Sequence, residues 1–299
     1  MRTINGYALT AELSALNAGF CQWGFCIKDG HEYFIKELLE PKYPLDSSLF
    51  TKDAFERKKK LCEEFFQEKE LFRQALARCR TGNNVIILDF FREGSRYYIV
   101  TDKIEDAHLT PQQVAALSEE KKEVLIRSLL YSVAALHQEG IIHSDIKADN
   151  VLLKWTNKGF LTAKVIDFDS GFLTNQPQKD VHGDFVYLSP EAFLKMNEED
   201  VTLTNKIDIF ALGVLFHLYL TGEVPRFDPS EQYLCLALLN EKPIELSPKL
   251  PAFYRPIIAR MLAPEPEKRP SARSILQEFQ QRDRREKQTG GFYIPGDLD

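Results

Sequence analysis

The stretch from Leu125 to Leu153 constrains the fold more than any other, because a strongly polar loop lies there between an apolar helix and an apolar strand. Four apolar residues at helical spacing precede the loop: Leu125, Leu129, Val133 and Leu136. This spacing predicts a helix with one buried face. Val151-Leu152-Leu153 follows the loop and predicts a short buried strand. The loop is therefore expected to present its polar groups from a rigid support.

Four side chains of the loop form a chemically useful cluster, since His143, Asp145, Lys147 and Asn150 fall within eight positions. Such a cluster suits transfer of a phosphoryl group to a hydroxyl, where a protein mainly positions groups and neutralises charge. We expect Asp145 to accept or orient the hydroxyl proton, Lys147 to contact the transferring phosphate and Asn150 to hold a magnesium ion. The alternative is a solvated loop that carries these residues by chance.

A further carboxylate stands at the end of the apolar run that leads from Ala163 into Asp167. Magnesium takes few protein ligands, one or two carboxylate or carbonyl oxygens, and completes its shell with phosphate oxygens and water. Asp167 and Asn150 are therefore the candidate metal ligands.

Three segments of the chain resemble motifs of one protein family. The residues from His143 to Asn150 resemble the catalytic loop H-R-D-L-x-x-x-N of eukaryotic-type (Hanks-type) serine/threonine protein kinases. Asp167-Phe168-Asp169 resembles D-F-G, and Ser189-Pro190-Glu191 resembles A-P-E. The resemblance covers roughly Tyr7 to Gln281, with weaker motifs in the first part. Weaker motifs there are typical of a divergent member of the family, for instance a bacterial one. Lys147 is the serine/threonine form of its position.

The resemblance implies an α+β fold of two lobes. The first, residues 1–102, is expected to be a small, mostly antiparallel β lobe with one main helix, from Asp53 to Ala77. The second, residues 103–282, is expected to be larger and mainly helical. Residues 283–299 are charged and then bear glycine and proline, so we predict a tail.

Inside the second lobe the resemblance also implies two structural contacts. Asp208, near the start of a very apolar helix, is expected to bond the backbone of the catalytic loop. Arg269 is expected to pair with Glu191. His143 is expected to be a packing residue that supports the loop.

The family's activity implies binding of ATP with Mg²⁺. Tyr33-Phe34-Ile35-Lys36 resembles the V-A-I-K strand, so Lys36 is expected to pair with the nucleotide phosphates. Glu68 best fits the glutamate that pairs with this lysine, with Glu64 and Glu70 as alternatives. Gly19 fits the glycine-rich loop, although a plain hairpin explains it about as well.

The remaining nucleotide contacts are implied around the hinge between the lobes, which we place at residues 102–108. Thr101 is expected at the back of the adenine pocket, and the backbones of Asp102 and Ile104 are expected to bond the base edge. Leu152 is expected in the same nucleotide site.

Two departures from the family pattern count against an active kinase, and two further residues bear on its regulation and substrate preference. Phe34 replaces a small alanine that packs against adenine, and Asp169 replaces a glycine. These two changes and the weak glycine loop favour a pseudokinase scaffold as the alternative function.

Ser144 replaces the arginine that receives an activation-loop phosphate, which predicts activity without loop phosphorylation. Asp149 is either a solvated acid or a group that favours basic substrates.

A small-molecule kinase of the aminoglycoside or choline type is a third hypothesis, since the loop and Ile166-Asp167-Phe168-Asp169 also resemble motifs of those enzymes. Ser189-Pro190-Glu191 with Asp208 and Arg269 favours a protein kinase instead. The expected partner is thus a protein substrate that offers serine or threonine.

Composition limits the partners and the compartment. The formal net charge of −6 argues against a nucleic-acid partner, which would favour a basic face. No stretch supplies the roughly 18 consecutive apolar residues of a membrane span. The five cysteines lack the spacing of a zinc site or a disulfide framework, so reduced thiols and a cytoplasmic location are expected.

Overall fold

The computed structural model describes residues 2–16, 21–79, 83–176 and 183–288. The chain divides into two compact units, Met1–Glu105 and Asp106–Asp299.

The first unit is built on a six-stranded antiparallel sheet. Its strands are β1 (Thr3–Ile4), β2 (Tyr7–Leu9), β3 (Cys21–Lys28), β4 (His31–Leu38), β5 (Ile87–Glu93) and β6 (Arg96–Asp102). They lie in the order β1-β2-β3-β4-β6-β5. A two-residue turn, Asp29-Gly30, joins β3 to β4, with φ angles of 52° and 78°. Positive φ at both turn residues is what a tight hairpin requires, and Asp-Gly provides it at low cost.

The two faces of the sheet have different partners because successive side chains of a strand point to opposite sides. On one face Ile35 lies in a buried cluster with Cys26, Tyr98 and Val100. Phe34 and Lys36 therefore lie on the other face.

One long helix, α1 (Lys52–Leu76), accompanies the sheet. The Thr51 hydroxyl caps its amino terminus by accepting from the Ala54 amide. Phe66 of the helix stacks on Phe90 of β5 at 5.0 Å, and the Tyr97 hydroxyl donates to the Cys62 carbonyl. Aromatic pairs of this kind contribute about 0.5–1.5 kcal/mol each beyond the area they bury. They fix the helix against the sheet.

The second unit is mainly helical. Its helices are α2 (Pro111–Ala115), α3 (Glu119–Gln138), α4 (Pro190–Met196), α5 (Lys206–Thr221), α6 (Leu234–Leu239), α7 (Tyr254–Met261) and α8 (Ala272–Gln288). Its strands form three short antiparallel pairs: β7 (Ile141–Ile142) with β10 (Phe172–Leu173), β8 (Val151–Trp155) with β9 (Leu161–Val165), and β11 (Arg226–Phe227) with β12 (Ile244–Glu245).

Helix α5 is the centre of this unit, since every residue from Ile207 to Thr221 is buried. A helix that is apolar all round can lie only inside a core. Gly213 allows the close approach of Met261 and Leu262, because a Cβ at that position would lie 3.0 Å from each side chain. Gly222, in the left-handed conformation, ends the helix.

The predicted α+β architecture, with a small antiparallel β unit that carries one main helix and a larger mainly helical unit, is confirmed. The apolar stripe of α3 is fully buried, as its spacing predicts. All five cysteines are buried, and none of them forms a disulfide bond. None of the helices in the described part of the chain has the length and apolar character needed to cross a bilayer.

The predicted tail differs from the structure at its start. Helix α8 continues to Gln288, so Asp283 lies in a helix rather than in a tail. Its carboxylate accepts from Arg127 of α3 at 2.7 and 2.8 Å. A charged composition predicts a tail only where the charges have no partner, and here Asp283 pairs with another helix. Residues 289–299 lie outside the described part of the chain.

Candidate active site

The polar loop is held at both ends by secondary structure. Helix α3 ends before Gly140, whose φ of 72° turns the chain into β7, and β7 pairs with β10. A short 3₁₀ helix, Ala148–Asn150, then leads into β8. The loop is thus held by α3 and the β7–β10 pair at its start and by β8 at its end.

Asp145 is the centre of a compact hydrogen-bonded group. Lys147 Nζ donates to Asp145 Oδ2 at 2.8 Å, and Asn150 Nδ2 donates to the same oxygen at 2.9 Å. Asn150 Nδ2 also donates to the backbone carbonyl of Asp145, at 2.8 Å. Since both donors use Oδ2, the acceptor capacity of Oδ1 is left for an incoming hydroxyl. The carboxylate is 18% exposed, so it is reachable but partly shielded from water.

The charge of Lys147 is stabilised by its surroundings. Burial lowers the pKa of Lys147, but the hydrogen bond and the charge of Asp145, together with Asp184 and Asp149, outweigh burial and raise the pKa overall. The ammonium is therefore charged at neutral pH and adjacent to the carboxylate.

Asp208 of α5 binds the backbone of the loop from beneath. Its carboxylate accepts from the His143 amide and the Ser144 amide, each at 2.9 Å, and lies 2.9 Å from His137 Nε2. The group is fully buried, which raises its pKa, but His137 and the His143 amide outweigh burial and lower the pKa overall. The predicted contact between Asp208 and the loop backbone is confirmed.

His143 is a packing residue, as predicted. Its buried ring lies 4.8 Å from the Phe168 ring. Nδ1 accepts from the Asp145 amide at 3.3 Å, so the proton lies on Nε2, which donates to the Ile166 carbonyl at 2.9 Å. The ring therefore connects the loop to the segment that carries Asp167.

The candidate metal ligands are brought to neighbouring positions by β8 and β9. Val151 pairs with Val165, and the Ile166 amide donates to the Asn150 carbonyl at 3.0 Å. Asp167 follows directly, with a φ of 61°, and its carboxylate accepts from the Asp169 amide at 3.4 Å. An amide oxygen and a carboxylate on adjacent strand ends are hard oxygen donors of the kind that suits Mg²⁺.

Ser144 also has a positive φ, of 62°. Its hydroxyl donates to the Ser170 carbonyl at 2.7 Å. A neutral hydrogen bond therefore joins the catalytic loop to the segment that follows Asp167.

The first unit carries the strand that the resemblance assigns to the nucleotide phosphates. Lys36 is buried on β4 and lies opposite Ile99 of β6, while Phe34 lies opposite Thr101. The Phe34 ring packs on its sheet face against Trp23 at 5.8 Å and Phe25 at 6.0 Å. Aromatic side chains thus cover the sheet beside the lysine.

Glu68 lies on the sheet-facing side of α1, three positions after Phe65 and four before the buried Phe72. Its two alternatives are engaged on the helix itself. Glu70 accepts from Arg73 at 2.7 Å, and Glu64 lies 3.8 Å from Lys60. The choice of Glu68 rests on its position, on the side of α1 that bears Phe65 and Phe72.

The remaining predicted site residues are divided between the two units. Asp102 ends β6 and Ile104 follows it, both in the first unit, and Leu152 is half-buried on β8 in the second. Gly19 lies outside the described residues.

His137 also supports the site, although the sequence does not predict it. It lies in the last turn of α3, six residues before His143, and reaches Asp208 only because α3 packs against α5. No local pattern indicates this contact, since it depends on how two helices pack.

Glu191 and Arg269 form the predicted structural pair. Arg269 binds the Glu191 carboxylate through both terminal nitrogens, at 2.6 and 2.8 Å, and its side chain is fully buried. The remaining donors go to the carbonyls of Ala263, Pro264 and Lys206. All five guanidinium N–H groups are therefore satisfied.

Comparison with known proteins decides the family. The family model for the protein kinase domain matches residues 50–279, most of the chain. The chain belongs to the protein kinase domain family. Among its relatives is the serine/threonine-protein kinase cds1 of Schizosaccharomyces pombe, 28% identical over 268 residues, which cover 84% of this chain and 53% of the relative.

Other relatives of this kinase domain share less of their length with it. Sperm motility kinase Z of Mus musculus is 28% identical over 65% of the chain and 38% of the relative. Calcium-dependent protein kinase 4 of Plasmodium berghei is 27% identical over 50% of the chain and 28% of the relative. The matches therefore span about half or less of each of these relatives.

Proposed function

We propose that this kinase domain transfers the γ-phosphate of ATP to a serine or threonine hydroxyl of a protein. The observation that carries the proposal is the group formed by Asp145, Lys147 and Asn150 on a loop whose backbone is bound to Asp208. A positioned carboxylate beside a cation is what phosphoryl transfer to a hydroxyl needs. The serine/threonine-protein kinase relative and the lysine at position 147 support the choice of acceptor.

In this mechanism Asp145 Oδ1 accepts a hydrogen bond from the serine or threonine hydroxyl of the substrate. This contact directs the hydroxyl oxygen toward the phosphorus. Asn150 and Lys147 hold the carboxylate in one orientation, so little rearrangement is needed during reaction. Lys147 also places a positive charge where charge develops on the transferring group.

Asn150 and Asp167 would hold Mg²⁺ through side-chain oxygens. The bound ion would neutralise phosphate charge and orient the transferring group. We assign nucleotide contacts to Lys36, supported by Glu68, and to Gly19, Thr101, Asp102, Ile104 and Leu152.

The test is transfer of labelled phosphate from ATP to a serine- and threonine-containing peptide library, with and without Mg²⁺. Transfer that needs the metal, and that is lost in Asp167→Asn, would support the proposal. Wild-type protein that binds nucleotide but transfers no phosphate would overturn it.

Activity without phosphorylation of the loop is part of the proposal. The hydrogen bond from Ser144 to the Ser170 carbonyl supports it, because this contact joins the two loops without any phosphate. Alanine at both Ser170 and Thr174 is expected to leave transfer within about threefold of wild type. Abolished transfer in a folded double variant would contradict this.

A non-catalytic scaffold is the second candidate, and the packing of Phe34 on Trp23 and Phe25 favours it. If these rings cover the place of the adenine, Phe34→Ala should create or enlarge a Mg²⁺-ATP-dependent thermal shift. A wild-type shift that equals that of the variant would remove the reason for this candidate. The five buried thiols, none of which lies in a disulfide bond, support a reducing compartment such as the cytoplasm.

A further inference from the structure

A groove on the second unit, here called the α4–α6 groove, lies away from the catalytic loop. It has a volume of about 610 Å³ and is lined by α4, the end of α6 and the segment from Pro264 to Glu267. Leu194, Leu238 and Leu239 supply much of its apolar lining. Leu194 and Leu239 are half-buried, so apolar surface remains open to a partner.

The charges around the α4–α6 groove are unbalanced. Lys242, the cation in the described lining, binds Glu231 and Ser230. Two lining acids are paired as well, Glu191 with the buried Arg269 and Glu265 with Lys268.

Glu241 and Glu267 remain as exposed acids in the lining. The groove therefore combines leucine side chains with an excess of negative charge.

The backbone at Glu241 gives a second, independent reason to assign a role to the groove. The Glu241 amide donates to Leu238 and the Lys242 amide to Ala237, which is the hydrogen-bond pattern that ends a helix in a left-handed residue. Glu241 occupies that left-handed position, with a φ of 53°. Glycine or asparagine suits it better, and a carboxylate has the wrong charge for a helix carboxyl terminus. Helix stability does not explain a glutamate here.

We propose that the α4–α6 groove binds a segment of a partner protein in which leucine-sized apolar residues alternate with arginine or lysine. The apolar residues would cover Leu194 and Leu239, and the cations would face Glu241 and Glu267. This binding needs neither ATP nor phosphoryl transfer, so it stands apart from the proposed catalytic function.

The test is fluorescence anisotropy of a fluorescein-labelled twelve-residue peptide of alternating arginine and leucine, without serine, threonine or tyrosine, added to the full chain without nucleotide. We expect the double variant Glu241→Gly/Glu267→Gln to bind this peptide at least about tenfold more weakly than wild type. A peptide with serine in place of leucine should be weakened similarly. Glu56→Gln is the matched control, since it removes one exposed acid of α1, outside the groove and the catalytic loop, and it should bind like wild type.

The single variant Glu241→Gly separates a binding role from a structural one. Because glycine suits the left-handed position, this variant should unfold at a higher temperature than wild type while it binds the peptide less well. A lower unfolding temperature, equal binding by wild type and the double variant, or loss of binding in Glu56→Gln would each overturn the proposal. So would concentration-dependent self-association that Glu241→Gly/Glu267→Gln abolishes, because the basic run Arg57–Lys60 of a second copy would then be the occupant.

Discussion

At the scale of single residues, Asp145 has the most direct link between geometry and chemistry. Replacement of Asp145 by asparagine removes the proton acceptor but keeps the shape of the side chain. Phosphate transfer is expected to fall by about 100- to 10,000-fold, the usual contribution of a positioned acid or base. A labelled-phosphate assay measures the loss, and an unfolding temperature close to that of wild type shows that the fold is intact.

Asp149→Asn is the control for this prediction, because it makes the same chemical change four residues further along the loop. If both variants lose transfer equally, the loss comes from charge in general and not from the position of Asp145.

His217 predicts a pH dependence of stability. Its buried ring donates from Nδ1 to the Glu223 carbonyl at 2.7 Å and accepts at Nε2 from the Ser247 amide at 2.9 Å. Burial lowers the pKa of His217, and nearby Arg255 lowers it further, although Glu223 opposes both. The unfolded chain therefore binds this proton more readily, so the contribution to stability is present above pH 6.5 and is lost as the pH falls below it.

The measurement is the free energy of unfolding between pH 7.5 and pH 5, by denaturant titration of wild type and His217→Gln. The wild-type protein should lose more stability over this range than the variant. Parallel curves for the two proteins would show that His217 does not cause the pH dependence.

At the scale of elements, the buried pair between Arg269 and Glu191 holds α4 to the segment that precedes α8. Arg269→Ala leaves the Glu191 carboxylate buried without its cation, which typically costs about 3–5 kcal/mol. Lys268→Ala, the neighbouring change in an exposed pair, should leave the free energy of unfolding nearly unchanged. Chemical denaturation of both variants checks the contrast, and equal effects would contradict it.

The last turns of α8 make a further prediction. Arg282 binds Glu123 and lies 4.4 Å from the Phe253 ring, and Asp283 binds Arg127. A chain that stops after Gln281 loses these contacts and should be less stable by about 1–3 kcal/mol. A chain that stops after Gln288 keeps them and is the control. If the two chains unfold at the same temperature, the residues from Arg282 to Gln288 behave as a tail after all.

At the scale of the whole molecule, the sequence predicts most of what depends on local pattern. The stripe on α3 and the very apolar α5 follow from side-chain spacing and chemistry, and the structure contains both. The polar cluster of the loop was visible because its members lie close together in the chain.

What the sequence did not predict depends on tertiary packing. His137 meets Asp208 only through the contact of two helices, and Asp283 lies in α8 because its carboxylate pairs with Arg127 of another helix. The aromatic cover on the Lys36 face arises from the register of β3 and β4, which pairs Phe25 with Phe34. Spacing within one segment carries no information about such partners.

Helix α5 has a consequence for how this protein can be observed in solution. Because every residue from Ile207 to Thr221 is buried, its amide hydrogens meet solvent only when the second unit opens as a whole. Hydrogen–deuterium exchange at these amides would therefore report the free energy of global opening, without added denaturant. The same experiment would show whether a ligand stabilises this unit, even where its binding produces no spectroscopic change.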